Sequence, residues 1–440
     1  MIELIPFKGV RYNLENIDDI TKVVTPPYDV ISKEKQQEYY DLNPYNIIRL
    51  ELGKEFPNDT DNNNKYTRAA ENFDKWLQCG IMKQEKEPSL YIYEQRFKIV
   101  ETVYTRTGFI GLVKLQEFSK GNILPHENTL SKPKEDRLNL MRACNANFSQ
   151  VFGLYEDEDS GVSKYIYEYK QKHIPDVSFE SEDGVIESLW KLSDKLIIGN
   201  IQNKMANKKI FIADGHHRYE TGLAYRDEQA AQNPNHTGKE LYNYIMMMLV
   251  AMNDPGLVIL PTHRCINNIN NFDMANFLED LKTHFYIHSF EFEGRSNNNK
   301  VDQIQSELKQ AGQHSFALYG GNKSNFHILK LKNIKSIDNY IPDKKLSYKE
   351  LDVTILHTLI LENILGIDKE KLAKQENITY THDMIEGLTW VEEGREQFAF
   401  FMNPTSIEQV KKVSLDGEKM PQKSTYFYPK LITGLVVNKM

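Results

Sequence analysis

The stretch KKIFIADGHHRYETGLAYRDE, residues 208–228, constrains this chain more than any other. It begins as an apolar strand, turns over Asp214-Gly215 and continues as an amphipathic helix that opens with His216, His217 and Arg218. The next apolar run, YNYIMMMLVAMND, ends in Asn-Asp-Pro-Gly and reads as a buried strand. Strand, helix and strand in that order need a sheet with covered faces, which predicts an α/β fold built on a mixed sheet. With 440 residues, 40% of them hydrophobic, the chain can bury a large core and exceeds the usual size of one domain. Three regions are expected: an N-terminal α/β region, 1–155; a central strand-turn-helix region, 156–265; and a C-terminal α/β region, 266–440.

Local patterns fill in these regions. YTRAAENFDKWLQCG predicts a helix capped near Gly80, and LYIYEQRF and TRTGFIGLVKLQEF predict two strands. SKPKEDRLNLMRACNANFSQV leads from a loop into a helix, residues 159–207 read as helical, and NIIRLEL reads as a strand holding Arg49. In the last region, NFDMANFLEDLKTHF and DVTILHTLILENILGI predict helices, REQFAFFMNPTS a strand, and SFALYGGNKSNFHILKL a hairpin around Gly-Gly-Asn-Lys. PNDTDNNNK and GRSNNNK have turn composition. The three cysteines, Cys79, Cys144 and Cys265, form no C-x-x-C pair and read as reduced, mostly buried thiols.

Several function classes are disfavoured. A formal net charge of −8 and the lack of a basic recognition helix argue against a nucleic-acid partner. The N-terminus lacks a signal-peptide pattern, and no apolar run reaches the roughly 18 residues that span a bilayer, so a cytoplasmic location without a membrane partner is expected. The known nucleotide motifs GxxxxGK[ST] and GxGxxG, the kinase set and the G-x-S-x-G elbow are missing.

The chemistry concentrates in four stretches. At the strand-to-helix corner the first helical N–H groups have no internal acceptors and the dipole is positive, so an anion is the natural partner. Gly215 permits the turn, and Arg218 offers a planar fork for two phosphate or carboxylate oxygens. His216 and His217 point about 100° apart around a helix, so both cannot face one ion. The plainer alternative makes Asp214 an N-cap and the histidines solvated surface groups. In NILPHENTLSKPKEDR, His126, Glu127, Lys132, Lys134, Asp136 and Arg137 crowd a polar loop, but the zinc-protease helix is absent because its second histidine would fall at Leu130. In TPPYDVIS, Pro26-Pro27 forces extended backbone and sets Asp29 on a rigid loop as a candidate general base or metal ligand. In MPQKSTYFYPKLITGLV, Lys423, Ser424, Thr425 and Lys430 lie among aromatics in a tail too apolar to be loose, and Lys423 has the reach to meet a phosphate.

PPYDVI, LPHENTLSKPKEDRLNLMRA, IADGHHRYETGL and MPQKSTYFYPKLITGLV together resemble the bacterial and archaeal family catalogued as domain of unknown function 1015. The Asp-Gly-His-His-Arg-Tyr turn is also similar to the Gly-x-x-Arg turn of the fold shared by chromosome-partition CTPases, sulfiredoxins and free-serine kinases. That likeness implies phosphate binding by Gly215, His216, His217 and Arg218, with Asp214 as metal ligand or catalytic carboxylate. Where sulfiredoxins carry their reactive cysteine this chain has His216, and the partition proteins' two basic residues correspond to His217 and Arg218.

The combined expectation is a phosphotransferase that uses a nucleotide, ATP or ADP or else CTP, with Mg²⁺, and acts on a small polar metabolite. Serine, or phosphoserine in reverse, is favoured by the resemblance to the serine kinases. Its catalytic set is Asp214, His216, His217, Arg218, Asp29 and Glu127; its cofactor-binding set is Gly215, His126, Lys132, Arg137, Lys423 and Ser424; and Asp214 is the metal ligand. A nucleotide-binding switch without an acceptor and a metal-dependent phosphohydrolase are the alternatives.

Overall fold

The computed structural model describes residues 1–129, 131–294, 296–321 and 324–440, so Leu130, Arg295 and the Asn322-Lys323 turn of the expected hairpin lie outside the described residues. Two compact units divide the chain: Met1–Pro125 with Thr129–Val258 and Phe427–Met440, and His126–Asn128 with Ile259–Tyr426. The regions marked as 1–155 and 156–265 both supply strands to the main sheet of the first unit, and Phe427–Met440 belong to the same unit.

The main sheet of the first unit is made of β1 (Leu4–Ile5), β2 (Leu90–Ile99), β3 (Thr102–Lys114), β4 (Ile123–Leu124), β5 (Val151–Tyr155), β6 (Val177–Glu180), β7 (Ile186–Leu192), β8 (Ile210–Asp214) and β9 (Tyr244–Ala251). They form one sheet in the order β4-β8-β5-β9-β3-β2-β7-β6, with β1 beside β3. Two of the pairings, β4 with β8 and β5 with β9, are parallel and the rest antiparallel, so the sheet is mixed. Every residue of β9 is buried, as expected for a central strand covered on both faces. Helix α1 (Lys65–Gln78) is held at its start by an Asn64–Thr67 capping box and ends at Cys79 and a left-handed Gly80. Helices α2 (Ser131–Cys144) and α3 (His216–Gln232) lie against each other. The fit of α3 on the sheet is close: a Cβ on Gly222 would come 2.9 Å from Ile245. The Tyr219 hydroxyl donates to the Gln116 carbonyl (2.8 Å) and accepts from its N–H (3.0 Å).

Three expectations need correction. Residues 159–207 are helical only at Ser163–Lys172 and Lys195–Met205, with β6 and β7 between them, because Ile186–Leu192 finds a seven-residue antiparallel partner in β2. Arg49 lies in a one-turn helix, Ile48–Glu51, where its guanidinium donates to the Tyr40 carbonyl (2.6 Å) and sits over the Tyr40 ring. Cys144 and Cys265 are buried, but Cys79 is exposed at the end of α1.

The second unit is built on an antiparallel sheet of β10 (His263–Ile266), β11 (Phe285–Glu291), β12 (Ser315–Gly320), β13 (Asn325–Leu331), β14 (Ile378–Thr381) and β15 (Phe398–Met402), in the order β11-β13-β12-β15-β10-β14. Helices α4 (Asn297–Ala311) and α5 (Met384–Glu392) bury Ile304, Leu308, Leu388 and Val391 against Ala317, Ile328 and Phe401. No described helix is long and apolar enough to cross a membrane.

One close approach fixes the exit of β9. In the Asn-Asp-Pro-Gly turn a Cβ on Gly256 would stand 2.2 Å from the backbone of Thr105 and Arg106. We expect Gly256→Ala to destabilise the protein by about 1–3 kcal/mol, seen as a lower urea midpoint with an unchanged slope.

Candidate functional site

The site forms where β8 runs into α3. The register of β8 against β5 shifts between Ile212 and Asp214, a bulge at Ala213 that leaves Asp214 paired with Phe152 at the end of the strand, and Gly215 follows with φ 87°. A side chain there would strain the backbone and press on the Arg218 guanidinium, 2.9 Å from the position of a Cβ. The helix therefore starts without a side-chain cap and with no acidic residue in its first turn. Asp214, the residue that could have capped it, instead faces two cations: Lys430 Nζ at 3.4 Å and Arg218 Nη2 at 3.5 Å. Burial alone would raise the Asp214 pKa, but Lys430, Arg218 and His216 outweigh it and hold the carboxyl well below the usual carboxylate range. Arg218 is itself 9% exposed and donates through Nη1 to the Gln150 carbonyl.

Beside this corner, α2 brings Arg137 and Lys134. Arg137 is buried, stacks 4.1 Å over the Tyr28 ring, donates to the Glu51 carbonyl (2.8 Å) and grips Asp136 through Nε (3.0 Å) and Nη2 (2.6 Å). Its donors are thus committed to Glu51 and Asp136, while its face holds the Tyr28 ring. Glu51, whose carboxyl is raised by burial despite Arg137, accepts from Ser149 (2.7 Å). Arg137, Arg218, Glu51 and Ser149 line a cavity of about 30 Å³, room for a single water. Glu220 accepts from Lys134 (2.8 Å) and Thr129 (2.6 Å). His217 is half-buried, and burial lowers its pKa so that the neutral imidazole prevails at pH 7, with Glu220 pulling the other way. Asp29 is exposed in a single 3-10 turn, Tyr28–Val30, and its charge acts on both Tyr28 and His217. Lys132 is exposed in the first turn of α2.

Lys430 reaches Asp214 because the segment around it is clamped by a buried polar cluster. Arg106 donates to the carbonyls of Tyr428 and Pro429 and to the Gln95 side chain, while Gln95 Nε2 donates to the Lys430 carbonyl (3.0 Å) and Glu187 (3.1 Å). The Tyr93 hydroxyl donates to Glu187 (2.6 Å) and accepts from the Ile432 N–H (3.2 Å). All four side chains are essentially sealed from water. Burial pushes the Glu187 carboxyl up to about 7 against the pull of Tyr93, Gln95 and Arg106.

The other expected residues belong to the second unit. His126 is buried there with Nε2 3.1 Å from Thr425 Oγ1, and Glu127 forms a parallel bridge with Met420, so HEN and MPQKST lie side by side. The Ser424 hydroxyl donates to the Pro421 carbonyl (2.5 Å). Lys423 is exposed at φ 57°, with its carbonyl accepting from Arg264 (2.9 Å). In the first unit, then, the structure brings together Asp29, Arg137, Asp214, Gly215, His216, His217 and Arg218. Among the described residues no group of three or more His, Cys, Asp or Glu side chains is arranged to hold a metal. A cation at Asp214 would compete with Lys430 and Arg218, so the donor set does not fit a resident metal. Tyr28 is expected beside Asp29 on the rigid Pro26-Pro27 loop, whereas Glu51, Gln150 and the Arg106 cluster were not singled out from sequence; a lone Arg106 in the strand TRTGFIGLV was that cluster's one visible signal, since a charge in a strand needs a partner.

Two tests follow from these charges. Asp214→Asn strands Lys430 and Arg218, and should cost about 2 kcal/mol or more at neutral pH in urea unfolding. The sign is that of a depressed carboxyl: its contribution is present above the ordinary aspartate range and is lost as pH falls below it. Glu187 has the opposite sign, because a raised carboxyl stabilises the fold below the ordinary glutamate range and loses that contribution as pH climbs to about 7. Unfolding at about pH 5 and about pH 8 should show this loss in the natural protein and a flatter profile in Glu187→Gln.

A search of the curated proteins finds no match to this sequence. Solved structures similar to it include a free serine kinase mutant in complex with AMP, at 12% identity and a TM-score of 0.35, covering 72% of this chain and 90% of that one. A conserved hypothetical protein from Pyrococcus furiosus matches at 15% identity and TM-score 0.32, over 72% of this chain and 93% of that one. SbnI with a C-terminal truncation, from Staphylococcus aureus, matches at 9% identity and TM-score 0.33, over 75% and 87%. The family profile described as "Protein of unknown function (DUF1015)" matches residues 4–354, and with most of its length so covered the chain belongs to that family.

Proposed function

We propose that the first unit is a nucleotide-dependent phosphotransferase acting on a small polar metabolite, with the phosphate received at the opening of α3. The observation that carries this reading is the corner itself: an uncapped helix start after a left-handed glycine, flanked by Arg218 and Lys430, whose shared carboxylate Asp214 stays ionised. Asp214 is matched to two cations and cannot serve as a proton acceptor; it orients Arg218 and Lys430 toward incoming phosphate oxygens. In phosphoryl transfer, positioning and charge neutralisation supply most of the acceleration, and this arrangement offers both.

The acceptor hydroxyl must lose its proton as its oxygen bonds to phosphorus and the bridging oxygen of the donor leaves with the electron pair. In this unit Asp29, exposed on its rigid turn, and His217, kept neutral by burial, are the groups able to take that proton. ATP, ADP or CTP as the magnesium complex is the donor class, the metal arriving with the substrate. Serine, or phosphoserine in reverse, is the acceptor suggested by the likeness of the Asp-Gly-His segment to that of the serine kinases.

The test is incubation of the purified protein with ATP, ADP or CTP, Mg²⁺ and a panel of amino acids including serine, read by mass spectrometry. A phosphorylated amino acid is expected, and Arg218→Ala should reduce its formation by about 10² or more. No product from any pair ends the phosphotransferase reading; nucleotide binding by calorimetry without turnover would then favour a switch, and free phosphate without an acceptor would favour a hydrolase.

A further inference from the structure

Within the first unit, away from the α3 corner, lies a cavity of about 420 Å³, inside the range of roughly 300–1,000 Å³ typical of small-molecule sites. Its apolar side is made by Val24, Leu42, Tyr39, Phe179 and Ile432. Its ionisable lining is four acids, Glu38, Glu180, Glu182 and Asp183, against two lysines, Lys22 and Lys35. Both lysines are already balanced: Lys35 by Glu182 and by Glu38 at 2.8 Å, and Lys22 by Asp19 at 3.8 Å. Glu182 also accepts from the Tyr39 hydroxyl (3.1 Å). Glu180, the last residue of β6, and Asp183, on the turn after it, are left with no ion pair among the described residues. At the floor, the Thr25 hydroxyl is buried without a hydrogen-bond partner, a cost that a native structure rarely carries for nothing.

We propose that this cavity is a second small-molecule site, for a ligand bearing a primary ammonium group on a short apolar stem. The ammonium lies toward Glu180 and Asp183, and the stem covers Phe179 and Ile432. An acidic excess over an apolar wall selects against phosphates and carboxylates, the class suited to the α3 corner. The two places are linked through intervening residues: the Ile432 carbonyl accepts from Gln150 Nε2 (3.2 Å), whose own carbonyl holds Arg218, and Pro26 of the cavity is two residues from the Tyr28 ring that stacks on Arg137. Occupancy is therefore expected to be felt at the corner, although the cavity's own ligand needs no phosphoryl transfer to bind.

The experiment is calorimetric titration of the full chain with n-butylamine and cadaverine, with butyrate and n-butanol as controls. Saturable amine binding is expected, weakened by about tenfold or more in the double variant E180Q/D183N, whose exposed positions leave the core untouched. L42W, at the half-open mouth, should weaken it likewise by narrowing the cavity. ATP affinity of the double variant is measured alongside and should hold, which separates failure here from failure at the corner. Absence of amine binding, amine binding undiminished in both variants, or butyrate binding as tight as the amine would each overturn the proposal.

Discussion

Arg106 is a guanidinium enclosed by sheet, and it has no water to turn to. Its two Nη groups donate to the carbonyls of Tyr428 and Pro429 and to Gln95, so the last stretch of the chain is held by the interior of the first unit rather than resting on its surface. Everything at the α3 corner follows from that anchoring. Lys430 extends from the clamped segment to Asp214, and Ile432 from the same segment meets Gln150, which holds Arg218. Ordering each residue of this apolar tail costs about 1–2 kcal/mol of backbone entropy, which its burial and the clamp offset.

The corner combines an electropositive helix start with a carboxylate that cannot leave its charged state. Arg218 and Lys430 together outweigh Asp214, so these three side chains leave a net positive charge beside the helix start. Next to it Arg137 pairs with both Asp136 and Glu51 and, stacked on Tyr28, supports the turn bearing Tyr28 and Asp29. The neighbouring cavity has the reverse polarity, with acids in excess. A corner and a cavity of opposite polarity thus rest on one connected backbone.

The sequence made the strand-glycine-helix corner legible because its signals are local: an apolar run, a residue tolerant of positive φ, and a helical period. The mixed sheet was legible for the same reason, through strands such as LYIYEQRF and YNYIMMMLVA. The segment 159–207 misled because VSFE and IESLWKL are short, and their strand character depends on pairing with a partner some ninety residues earlier. NIIRLEL misled because four residues cannot reveal a period, and so Glu51 went unnoticed. Lys423 drew attention over Lys430 because both are lysines in one motif; only the fold decides that Lys430 meets Asp214 while Lys423 stands exposed in the second unit.

The three thiols have unequal access. Cys144 is buried and its thiol is pushed up to about 12 by that burial, and Cys265 is enclosed within its own sheet, whereas Cys79 stands in solvent where α1 ends. A maleimide dye added to the folded protein at neutral pH will therefore attach at a single address. That gives a spectroscopic reporter on the first unit without engineering the sequence, and a second or third equivalent of label taken up over time becomes a clock for the opening of either core.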